Sequence, residues 1–244
     1  MGKQRVYRQS LGNRHLSGYR VCVKETDLWV QTEKPLEAKV REYVLRYRGY
    51  IEACIAAAPD FLSAMRPIPL SGPAPPIVRD MAAAARAADV GPMAAVAGAM
   101  AEYVGKDLLA DSGEVMVENG GDVFVKLDAP FTLAIDAGPS PFTNKIGLEL
   151  DASAGPLGVC TSSATIGHSL SYGQADAVCV VSDSCALADA TATAIGNRVA
   201  SADDIDRAIV FGREIAGISA IVVIAGNRIG VWGNTSVVPL THGK

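Results

Sequence analysis

A chain of 244 residues, 49% apolar and 20% charged, can bury most of the surface that its unfolded form exposes, which excludes a disordered or fibrous protein. A net charge of −4 is too small to call for a nucleic-acid partner. No apolar run reaches the roughly 18 residues of a membrane span: the stretch 215–226 is too short, and Arg86, Asp89 and Pro92 interrupt the Ala-rich stretch 81–101.

The N-terminal segment carries Lys3, Arg5, Arg8, Arg14, Arg20 and Lys24 with no acid before Glu25. It reads as a solvated arm rather than a phosphate-binding one. Its charges are followed by no apolar stretch of the kind a secretory signal needs. Cys22, Cys54, Cys160, Cys179 and Cys185 are scattered and form no Cys-x-x-Cys pair. That pattern fits reduced thiols in a cytoplasm, and gives no support for a zinc site or a disulfide framework.

Residues 19–32 alternate Val21, Val23, Leu28 and Val30 with polar neighbours around Glu25-Thr-Asp27, as a hairpin does. From Pro35 to Ala58, Val40, Val44, Tyr47, Ile51 and Cys54 recur on one stripe, which predicts a long amphipathic helix. Residues 59–76 hold Pro59, Pro67, Pro69, Pro73, Pro75 and Pro76 and are expected to be irregular. Two Ala-rich helices follow over 77–88 and 92–104, the second thinned on one side by Ala94, Ala97, Gly98 and Ala101. A helix that thin packs closely on another helix or leaves room for a ligand.

Between Glu114 and Thr161 the period changes to two, through Val115, Val117, Val123, Val125, then Leu133 and Ile135, then Ile146, Leu148 and Leu150. A strand at 177–181, a helix around Asp189 and a helix near 203–216 come next. Strands over 220–225 and 229–232 close the chain, joined by Gly226-Asn227. Grouped strands flanked by helices predict an α+β fold with a mainly antiparallel sheet. One domain over 1–244 is expected, with the hairpin, helix and Pro-rich connection of 1–76 packed on it.

Three segments could carry chemistry. In Leu187-Ala-Asp189-Ala-Thr-Ala-Thr193-Ala, Asp189 and Thr193 share one helix face surrounded by alanine. Such oxygens suit a hard cation such as Mg²⁺ in an open pocket, or equally satisfy local hydrogen bonds in a packed core helix. Glu118-Asn119-Gly120-Gly121-Asp122 joins two strands as a two-residue hairpin turn, or lays backbone bare for a nucleotide; it fits neither a Rossmann fingerprint nor a Walker loop. Gly158-Val-Cys160-Thr161-Ser162-Ser163 through His168 is rich in hydroxyls and glycines that could meet phosphate oxygens. Cys160 with His168 could form a thiolate pair, although a buried thiol and a satisfied histidine are the commoner arrangement.

In order and character, Asn119-Gly120-Gly121-Asp122, Thr161-Ser162-Ser163 and Ala188-Asp189-Ala-Thr-Ala-Thr193-Ala resemble the N-x-G-G-D, T-S-G and A-D-A-x-A-T-A motifs of the ApbE family, FAD:protein FMN transferases. The resemblance covers roughly 85–200. Val90–Gly98, Val117–Asp122 and Thr161–Ser169 are similar to segments of a short bacterial and archaeal branch of that superfamily. The resemblance implies an ApbE-like fold, Mg²⁺ held by Asp189, Thr193 and the carbonyl of Ala94, and a site for FAD or FMN lined by Asn119, Gly120, Gly121, Asp122, Thr161, Ser162 and Ser163. The chemistry it implies is attack on the FAD pyrophosphate, delivering FMN to a Ser or Thr of a partner protein.

The chain also departs from the family's pattern. Ala97 stands where a Lys or Glu precedes the second glycine of the thin helix, and Gly91 where that helix starts with Asp. The H-I-x-D-P-x-T-G segment is missing; only His168-Ser-Leu-Ser-Tyr172 follows, so His168 is the candidate acid–base group. The expectation is a cytoplasmic, Mg²⁺-assisted flavin-nucleotide enzyme. Its alternatives are a non-catalytic flavin-binding or redox-partner module, and sulfur chemistry at Cys160. The Ala/Gly-rich helices fit packing within one chain or between copies in a homo-oligomer.

Overall fold

The computed structural model describes residues 15–163 and 173–240. The expected hairpin forms as β1 (Ser17–Val23) and β2 (Thr26–Thr32), but it extends a sheet rather than packing on one. Helix α1 (Glu37–Ala57) follows and buries Val40, Val44, Tyr47 and Ile51, the predicted stripe. The Pro-rich connection is not wholly irregular, because Asp60–Ser63 winds into a single helical turn, α2, that buries Phe61. One buried aromatic side chain anchors a turn that proline spacing could not reveal.

Helix α3 (Pro76–Ala88) starts with proline in its first turn, where the missing N–H costs nothing. A 3₁₀ turn, Pro92–Ala95, then leads into α4 (Val96–Leu108). Strands β3 (Val115–Asn119), β4 (Asp122–Lys126), β5 (Phe131–Ala134), β6 (Ile146–Leu150), β7 (Leu157–Ser162) and β8 (Ala177–Ser182) come next. Helix α5 (Cys185–Gly196) carries Asp189, and α6 is Ile205–Arg213. The chain ends with β9 (Ile218–Ala225), β10 (Arg228–Gly233) and the further short strand β11 (Ser236–Pro239).

An eight-stranded sheet runs β1-β2-β3-β4-β7-β8-β9-β10, and a smaller sheet runs β11-β6-β5. Every strand pairing in both is antiparallel. Helices and strands segregate into layers, as an α+β fold requires. Side chains alternate across the large sheet. Phe124, Cys160, Val178 and Val180 face the helices, while Val123, Val125, Val159 and Cys179 face the small sheet. Strands covered on both sides are buried along nearly their whole length, and β8 is buried at every position.

Candidate functional site

The β3–β4 turn pairs Asn119 with Asp122 and leaves Gly120 and Gly121 as its tip, with φ of 73° and 114°. Those left-handed values suit glycine. Strand parity puts Asn119 and Asp122 on the helix side of the sheet, where the Asn119 amide donates to the Ala97 carbonyl at 3.1 Å. Glu118 points to the opposite side, is fully buried, and accepts the Gly121 N–H at 2.8 Å. Nothing local to residues 118–122 signals that this carboxylate braces the turn from beneath.

Helix α4 begins with no side-chain cap of its own, so its first amides need acceptors from elsewhere. Asp189 supplies one from α5: its Oδ2 accepts the Gly98 N–H at 2.9 Å. The approach depends on glycine. A β-carbon on Gly98 would collide with the Cys185 carbonyl oxygen and stand 2.8 Å from Asp189 Cβ. The thin face of α4 is therefore spent on packing against α5.

Asp189 and Thr193 do not project into an open pocket as expected; their exposures are 8% and 7%. They are nevertheless less sealed than Ala188, Thr191 and Ala192 of the same helix, which have none. Asp122 is 6% exposed. Burial pushes its carboxyl well above the ordinary carboxylate range, and the charge of nearby Asp189 pushes it further. Burial also raises Asp189, to about 7, against the lowering effect of the Gly98 and Ala97 amides. Burial and mutual repulsion disfavour ionising both carboxyl groups together.

The Thr161 amide also donates to Asp122, but its hydroxyl does not face the carboxylates. Thr161 pairs with Cys179 and hydrogen-bonds to that thiol on the small-sheet side. Ser162, paired with Val178, takes the helix side instead. Cys160 is fully buried and its thiol donates to the Cys185 carbonyl at 3.3 Å. Burial raises it well above an ordinary thiol, and Cys185 and Asp122 add to the rise. That is the setting of a structural thiol, not of a nucleophile. His168 lies outside the described residues.

Ala94 is half-buried in the 3₁₀ turn, which packs against α5. Ser162, Ser163, Asn119 and Gly121 are also half-buried, and Gly120 is exposed. By exposure these residues grade from the buried Asp122, Asp189 and Thr193 to the half-buried Ala94, Asn119, Gly121, Ser162 and Ser163. A shallow depression between α3 and α6 is lined by Ala87, Val210, Phe211, Glu214, Ile215 and Ala216, and by none of the predicted residues. It offers one carboxylate among apolar groups. Among the described residues no group of three or more His, Cys, Asp or Glu forms a metal cluster, and no helix is long and apolar enough to cross a membrane.

The sequence profile of a family described as AbpE bacteria matches residues 8–216. A UPF0280 protein of Methanocaldococcus jannaschii is 40% identical over 220 residues, covering 88% of this chain and 89% of that protein. A UPF0280 protein of Methanocella arvoryzae is 38% identical over 221 residues, covering 90% of each. The fold is similar to that of the apo flavinyl transferase ApbE of Pseudomonas stutzeri, with a TM-score of 0.57, 15% identity, and coverage of 89% of this chain and 93% of that one.

Proposed function

The chain belongs to the family described as AbpE bacteria, and from that membership we propose that it binds a flavin nucleotide, FAD or FMN, with Mg²⁺ and cleaves or transfers at the FAD pyrophosphate. One observation carries the reading. Asn119, Asp122, the Thr161 amide and Asp189, from three separate segments, meet beside the uncapped start of α4. The donor set fits a hard cation. Asp189 and Thr193 offer carboxylate and hydroxyl oxygens, Ala94 a carbonyl, and a second buried carboxyl group stands near. Mg²⁺ is commonly held by one or two carboxylates and keeps several waters or substrate phosphates.

When bound, Mg²⁺ would neutralise charge on phosphate oxygens and orient the leaving group. The Gly98 and Ala97 amides hold the Asp189 carboxylate in place, and its remaining lone pairs would serve the cation. Asn119 holds the turn against α4, and a β-carbon on Gly120 would meet nothing within 4 Å, so the turn has room for a bulky ligand. Ser162 and Ser163 would present hydroxyls to the phosphates. His168 would hold or release a proton at the reacting phosphate, and the acceptor would be a Ser or Thr of a partner protein. The setting would be the cytoplasm, with the five cysteines as thiols.

A second reading is a flavin-binding or redox-partner module without transfer. It is favoured by the near-closure of Asp189 and Thr193 and by the missing H-I-x-D-P-x-T-G segment. Purified protein incubated with FAD and Mg²⁺ separates the two. FMN and AMP are expected from an enzyme, and bound, intact FAD from a binder. No FAD binding at all would overturn both.

A further inference from the structure

Helices α4 and α5 hold each other through two buried carboxylates, of which Asp189 is only one. Glu102 of α4, 4% exposed, answers it in the other direction. Its Oε2 accepts from the Ser184 hydroxyl at 3.2 Å and from the Ala186 N–H at 3.3 Å, at the start of α5. Its Oε1 takes the Lys106 ammonium. Gly98 and Glu102 are one turn apart on α4, as Cys185 and Asp189 are on α5, so the two attachments sit side by side.

We propose that Glu102 is a positioning residue for the cation site, fixing the first turn of α5 against α4 and thereby the placement of Asp189 one turn later. This rests on the reading that Asp189 and Thr193 hold a cation. The Gly98 and Ala97 amides hold Asp189 at one end of the contact; Glu102 adds a second point one turn away, at the start of α5, that resists rotation of α5 about the first. A carboxylate at a helix N-terminus is favoured by the aligned peptide dipoles. Its burial is offset here by two neutral donors and one ammonium. Alanine at 102 would leave the Ala186 N–H and the Ser184 hydroxyl without that acceptor, whereas glutamine would retain a carbonyl oxygen for them.

The test is binding of Mn²⁺ to the full chain, followed by electron paramagnetic resonance, for wild type, Glu102→Ala, Glu102→Gln, Asp189→Ala and Leu148→Ala. Leu148, on the small sheet's central strand β6, is buried against the large sheet and serves as a control for lost stability. Asp189→Ala should abolish binding. Glu102→Ala should weaken it about tenfold, as loss of a supporting partner does, and should alter the Mn²⁺ spectrum. Glu102→Gln should recover most of the affinity, and Leu148→Ala should bind like wild type. Unchanged affinity and spectrum in Glu102→Ala would overturn the role, as would equal weakening in Leu148→Ala. If wild type binds no Mn²⁺, the cation reading itself falls and this role falls with it. Binding that Asp189→Ala loses and Glu102→Ala leaves untouched would sink this role alone.

Discussion

The two faces of the large sheet are made by the same strands and do different work. Toward the small sheet, Met116, Val123, Val125, Val159 and Val222 pack on Leu133 and Leu148 in a mainly apolar sandwich, with Glu118 buried at one end and bonded to the Gly121 N–H. Toward the helices, alternate residues of those strands pack on α4, α5 and α6, and there Asp122, Glu102, Asp189 and Thr193 are buried as well. A dry apolar interface contributes stability in proportion to area. A buried carboxyl group costs stability unless it is paired; Glu118 and Glu102 have donors within the protein, whereas Asp122 and Asp189 on the helix face lie close enough to repel each other, as a pair that shares a ligand would.

Substitutions on each face sharpen that contrast. The largest effect is expected from Asp189→Ala, which should weaken Mg²⁺-dependent nucleotide affinity by more than about 100-fold, beyond what loss of an outer-shell partner costs. Calorimetric titration with and without Mg²⁺ reads it. Leu148→Ala, on the opposite face, should cost about 2–5 kcal/mol in denaturant unfolding and leave that affinity unchanged. An affinity loss there would break the division between faces.

Gly98→Ala should cost about 1–3 kcal/mol by forcing α4 away from the Cys185 carbonyl, and should also weaken Mg²⁺ binding by shifting Asp189. The smallest effect is on pH dependence. Folded Asp189 keeps its proton to about pH 7, against an ordinary value of 3.8, so between these values the folded state binds more protons than the unfolded one. Its contribution is therefore full below about pH 4 and is lost as pH rises through 7. The metal-free melting temperature should carry a decrement over that range from this group. Saturating Mg²⁺, which selects the ionised carboxylate, should shrink the decrement, and Asp189→Asn should remove it.

Much of this architecture was legible because its signals are local. The stripe Val40, Val44, Tyr47 and Ile51 marks α1, and the glycines at 120 and 121 mark a turn that needs positive φ. The Asp189–Thr193 spacing defines a helix face, and Gly98 lies in a helix that does pack closely on a neighbour. What could not be read depended on partners far along the chain. The direction of the Thr161 hydroxyl follows from pairing with β8. Glu102 looks like an ordinary solvated charge in an Ala-rich helix until α5 is laid across it. Strand β11 exists because β6 offers it an edge, and the openness around Asp189 was decided by α4.

A crystal grown with FAD and Mn²⁺ offers the most direct measurement, through the anomalous signal of the ion. A peak about 2.0–2.2 Å from the Asp189 carboxylate, on the helix side of the sheet, is the expected result. An ion bound elsewhere, with Asp189 doing no more than capping α4 through Gly98, would contradict the account.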